Sequence, residues 1–128
     1  MCNEHQQEAI ILLDLKKRRI RIHEKTLRAL HEPEYIVLLV HPEERTIAIM
    51  RSNASEKRAH RIPPHQNRKK SYELYSTYLV QCLRELNPEW RDSQKYRFVG
   101  HVVDSECMVL FQMSDATPIG DTMVDDNQ

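Results

Sequence analysis

"EYIVLLVHPEERTIAIM", residues 34–50, encloses a charged centre between two apolar runs, and "KYRFVGHVVDSECMVLFQM", residues 95–113, repeats the pattern. In the first stretch "YIVLLV" is β-branched and aromatic, "HPEER" carries the turn-favouring Pro42 among charges, and "TIAIM" alternates. Together they predict a β-hairpin. Its strands are apolar on both faces, so both faces need a cover. In the second stretch Tyr96, Phe98, Gly100 and Val102 alternate, "DSE" turns, and "CMVLFQM" returns as the partner strand.

The segments around the hairpins extend the pattern. Ile20 and Ile22 alternate with Arg19, Arg21 and His23, the period of a half-buried strand. "EKTLRALHEP" predicts one or two helical turns from Glu24 to His31, closed by Pro33. In "SYELYSTYLVQCLREL", residues 71–86, Leu74, Tyr75, Tyr78, Leu79, Cys82, Leu83 and Leu86 form a stripe at helical spacing. It predicts a long amphipathic helix with Ser71 as its N-cap. The fold class that follows is α+β, with two βαββ-like halves whose hairpins share one sheet system under that helix. The predicted segments are an N-terminal half over 1–51, a basic linker over 52–70 with a brief edge strand near Ile62, a helix plus hairpin over 71–114, and a disordered acidic tail over 115–128.

Composition narrows the function classes. The 19 basic and 19 acidic residues cancel, so the chain as a whole exerts no bulk pull on a polyanion. The distribution is uneven. Residues 16–28, "KKRRIRIHEKTLR", hold seven bases against one acid, and residues 57–70, "KRAHRIPPHQNRKK", hold six bases and no acid. That is the pattern of a local phosphate-binding face, or of ordinary solvated surface. No run has the roughly eighteen apolar residues of a membrane span, and the N-terminus reverses the charge order of a secretory signal, so a cytoplasmic location is expected. Cys2, Cys82 and Cys107 are odd in number and widely spaced, which disfavours a disulfide framework and a zinc site.

Catalytic and cofactor chemistry finds few candidates. Phosphate-cradling loops need glycines, and the chain has only Gly100 and Gly120. His23, His31, His41, His60, His65 and His101 follow no metal-ligand spacing, so neither metal nor cofactor is expected. A Cys107–His101 nucleophile pair across the second hairpin is a remote option beside simple packing of Cys107. Tyr72, Tyr75 and Tyr78 could stack bases of a single strand, but Tyr75 and Tyr78 fit the core stripe. The expectation is a protein that is not an enzyme.

Over "RIRIHEKTLRALHEPEYIVLLVHPEERTIAI" the order strand, Leu-rich short helix, hairpin resembles the AbrB and MazE class of swapped-hairpin domains, and "YRFVGHVVDSECMVLFQM" resembles it more loosely. The resemblance implies a bacterial DNA-binding transcriptional regulator or antitoxin-like module, gripping DNA beside the hairpin layers. Arg19, Arg21 and Arg28 stand where such proteins carry bases. With the basic segments, the DNA-binding candidates are Lys16, Lys17, Arg18, Arg19, Arg21, Arg28, Arg61, Arg68, Lys69 and Lys70. Because one helix cannot cover both Tyr35, Val37 and Leu39 and Ile36, Leu38 and Val40, a homodimer is expected, or else a single-chain pseudo-dimer with the two-fold layout that the resembling class reaches by dimerising. The alternative function is a protein-interaction or assembly module that offers an edge strand to a protein partner.

Overall fold

The computed structural model describes residues 8–64, 66 and 70–120. Among the described residues nine strands run in chain order: β1 (Ala9–Asp14), β2 (Arg19–His23), β3 (Tyr35–His41), β4 (Thr46–Ser52), β5 (His60–Arg61), β6 (Ser71–Tyr75), β7 (Lys95–Val103), β8 (Met108–Gln112) and β9 (Thr117–Ile119). Helix α1 (Glu24–Ala29) follows β2, and α2 (Thr77–Leu86) follows β6. The strands pair antiparallel in the order β5-β3-β4-β8-β7-β1-β2-β6, with β9 on the free side of β7. They form a curled half-barrel. This corrects the α+β reading of two βαββ halves under a long helix. The strands of the two halves interleave, since β2 pairs with β6, β1 with β7 and β4 with β8.

The first five residues of the expected helix over 71–86 are strand. Ser71–Tyr75 is β6, and α2 is a ten-residue helix capped by Ser76, whose Oγ accepts from Leu79 N at 3.1 Å. Leu74 turns inward while Glu73 and Tyr75 turn outward, and Glu73 meets the guanidiniums of Arg19 and Arg21 on β2 at 3.1 and 2.8 Å. A stripe spaced three and four apart also satisfies period two over five residues. The partner strand decided between them.

β1, "AIILLD", has β2 and β7 on its two edges, and turns Ala9, Ile11 and Leu13 to one face and Ile10, Leu12 and Asp14 to the other. Ile11 and Leu13 point into the closed side with Ile20, Ile22, Phe98 and Phe111, all at most 1% exposed. Helix α1 is fastened to the start of β1 by Thr26, whose hydroxyl accepts from Ile10 N and donates to Ile10 O, each at 2.8 Å. It stops at Leu30 because His31 and Glu32 take left-handed φ values of 63° and 50°. Val80 and Leu83 of α2 enter the same core.

β7 changes partner along its length, pairing with β1 through Gly100 and with β8 from His101 onward. A Cβ at Gly100 would stand 2.5 Å from Phe111 and 2.7 Å from Val109, so only glycine lets the ring lie across the strand at this corner. Below the corner Trp90 stacks on Tyr96 at 4.9 Å and meets Phe98 edge-on at 5.9 Å.

The linker 52–70 contains the brief edge strand expected near Ile62, as β5, and residues 65 and 67–69 lie outside the described residues. The tail expected to be disordered from 115 begins with the ordered β9, on which Ile119 faces Lys95. Residues 121–128 lie outside the described residues.

Candidate nucleic-acid interface

The outward face of β7, β1, β2 and β6 follows from period two. Because Tyr96, Phe98, Ile11, Leu13, Ile20, Ile22 and Leu74 turn in, their neighbours in each strand turn out. The ladder then fixes two rows. Lys95, Asp14, Arg19 and Tyr75 form one, and Arg97, Leu12, Arg21 and Glu73 form the next. Four cations stand against two carboxylates, a net charge of +2. The β1–β2 turn adds the exposed Lys16, Lys17 and Arg18 at one end of β2. Lys70 is exposed at the other end, beside the Ser71–His23 pair. Five residues of strand place these ends about 14 Å apart.

The cations divide into held and free. Arg21 donates through Nε and Nη2 to Glu73 Oε2 at 3.0 and 2.8 Å, and Arg19 Nη1 donates to Oε1 at 3.1 Å. Arg19 Nε also lies 3.7 Å from Oδ2 of the buried Asp14, whose other oxygen accepts from Lys17 N at 3.0 Å. Burial pulls the Arg19 pKa down, but the Tyr75 hydroxyl and the carboxylates of Glu73 and Asp14 outweigh it and hold it above its ordinary value. Burial raises the Glu73 pKa, and bonds from Arg21 and Tyr75 with the charges of both arginines bring it below the usual carboxylate range. Arg28 is held by Glu24 at 2.7 Å. Lys95 and Arg97 are exposed, and no ion pair engages them among the described residues.

The sequence-derived set is therefore only partly assembled. Lys16, Lys17, Arg18, Arg19 and Arg21 share one region, whereas Arg28 is on α1 and Arg61 is on β5 at the far edge of the sheet. Arg68 and Lys69 lie outside the described residues. Lys95 and Arg97 were missed because they belong to no basic run. Their signal was the alternation of "KYRFVG", which places both opposite the buried Tyr96 and Phe98.

Tyr75 and Tyr78, expected in the core, are 63% and 80% exposed. Tyr75 stands in the Lys95 row, its hydroxyl donating to Glu73 at 3.1 Å. His101 pairs in register with Leu110, while Cys107 sits in the turn at φ 50°, so the ladder does not bring the two together as a nucleophile pair. Among the described residues no group of three or more His, Cys, Asp or Glu could hold a metal ion, and no helix is long and apolar enough to cross a membrane. No family model, curated protein or solved structure matches this chain.

Proposed function

We propose that this chain is a non-enzymatic DNA-binding protein that takes the phosphate backbone on the outward face of β7, β1, β2 and β6, as a transcriptional regulator or antitoxin-like module would. The observation that carries the reading is the placement of unpaired Lys95 and Arg97 beside Arg19 and Arg21, continuous with the Lys16–Arg18 turn. Each phosphate met by one of these cations releases a condensed counterion. Glu73 fixes Arg19 and Arg21 in one orientation, and among the described residues Arg21 Nη1 has no acceptor. The exposed Tyr75 ring offers a base a stacking surface at the end of the row. A cytoplasmic location belongs to the same reading.

Fluorescence anisotropy with labelled duplex and single-stranded DNA at about 50 and 200 mM salt tests it, since the affinity of a phosphate grip falls steeply over that range. The Lys95→Ala/Arg97→Ala variant should bind more weakly and lose about 2 from the log–log salt slope, roughly 0.9 per phosphate contact. Absence of binding at the lower salt, or an unchanged slope in the double variant, sinks the reading.

A further inference from the structure

β3 leaves one edge open. Ile62 N donates to Glu34 O at 2.8 Å, and the register continues through Tyr35–Arg61 and Ile36–His60. The N–H and C=O groups of residues 34, 36, 38 and 40 therefore point away from β4, toward the lane that β5 occupies. But β5 is only two residues long, and the chain before it turns off where Ala59 N donates to Glu56 O at 3.1 Å. Among the described residues no hydrogen bond reaches the N–H or C=O of Leu38 or Val40 from that lane. Natural edge strands are blunted by charge, proline or bulges. Between Tyr35 and Val40 there is no charge and no proline. Beside this edge lies a groove of ≈ 490 Å³, lined by Leu38 and Val40 of β3 and by Tyr78, Leu79, Cys82 and Leu86 of α2.

We infer that the open lane is filled by β3 of a second copy of this chain, antiparallel about a two-fold axis at Leu39. In that register Leu38 faces the partner's Val40 and Val40 the partner's Leu38, each pair exchanging both bonds, so all the unpaired groups are used. The lane length fits. The partner strand ends at His41, opposite Val37, and turns off at Pro42 before the position opposite Ile36, which His60 of β5 holds. Charge fits as well. Each copy's turn brings the exposed Glu43 and Glu44 to the other copy's exposed Lys57, and to Arg58, whose Nε donates to Glu56 at 3.0 Å, just before β5. The paired strands join two apolar grooves into one layer, covering the half-buried Leu38 and Val40 and the exposed ring of Tyr78. The site is independent of the charged face.

Multi-angle light scattering at high micromolar concentration should give twice the 15.2 kDa of one chain. Val40→Pro removes an N–H that points into the lane and none from the β3–β4 ladder, a substitution edge strands tolerate. It should yield a folded monomer. A wild-type mass of one chain, or a dimer that survives Val40→Pro, overturns the inference. If Val40→Pro does not fold, cysteine scanning with Cys2, Cys82 and Cys107 replaced by serine decides. On oxidation Leu39→Cys should link to its own copy across the axis, where facing Cα atoms of a non-hydrogen-bonded pair are about 4.5 Å apart, and Leu38→Cys should link poorly. No link at position 39, or equal yields at both positions, overturns it.

Discussion

On one side of Gly100 the outward face of the sheet carries Lys95, Arg97, Arg19 and Arg21. On the other side, β3, β4 and β8 turn Val37, Leu39, Ala48, Met50, Met108 and Leu110 outward. The inward faces of both regions are the same in kind, β-branched and aromatic, and meet in one core. What separates them is the alternate position. Charged residues there leave a face that can stay in water, with partners such as Glu73 setting the geometry. Apolar residues there leave a face that gains from a neighbour, by about 25 cal/mol for each Å² removed from water. Fold stability and exterior chemistry are thus written on alternate residues of the same strands.

The corner is the first place to break this division. Gly100→Val drives a branched side chain into Phe111 and Val109 and should cost about 3 kcal/mol or more in denaturant unfolding. Retained stability would show that β7 can bend without the close approach of Phe111. Next in size is the joint between the apolar region and α2. The fully buried Asn87 donates to Leu83 O at 2.9 Å and accepts from Arg45, which also donates to Leu86 O at 2.8 Å from the β3–β4 turn. Asn87→Leu strands these groups and should cost about 2 kcal/mol. An unchanged urea midpoint would remove the joint from the account.

A smaller effect lies at the charged end. Burial, aided by the charge of Lys25, holds the His23 pKa below its ordinary value of 6.5, and its Nδ1 accepts from Lys25 N at 3.0 Å as the cap of α1. Between the folded and unfolded pKa values the unfolded chain binds more protons, so stability is complete above 6.5 and falls as pH drops below it. His60, lowered by burial, acts in the same direction. His23→Asn keeps a capping acceptor and should flatten part of the decline in urea midpoint between about pH 7 and 5. A decline as steep as wild type would assign it elsewhere. Smallest of all, Lys95→Ala/Arg97→Ala should move stability by less than about 0.5 kcal/mol, since both side chains are exposed and unpaired. A large thermal shift in that variant would mean that these cations support the fold.

β2, both hairpins and the edge strand near Ile62 were legible because their apolar residues alternate and their turns carry recognisable chemistry. β6 was not. Leu74, Tyr78, Leu79 and Cys82 count as a helical stripe in one dimension, and the partners that overrule it, Arg19 and Arg21, lie more than fifty residues away. The same distance hid the state of Arg19 and Arg21, both held by Glu73, while Arg28 is held by Glu24 only four residues before it. Composition reveals clusters along the chain. Lys95 and Arg97 join theirs only through the β1–β7 ladder.

That ladder also sets the timing of assembly. β1 is an early strand, yet the neighbour that covers one of its edges starts at Lys95, and β4 waits for β8 at Met108 in the same way. During synthesis two very apolar strands pair early on one edge, with β2 and β3, and emerge long before the segments that cover their other edge. Closure of such distant contacts is slow, and exposed strand edges invite aggregation in the interval. A chain ending before Lys95 can form β1–β2–β6 and β5–β3–β4, but lacks β7 and β8, the strands that join these two parts into one sheet.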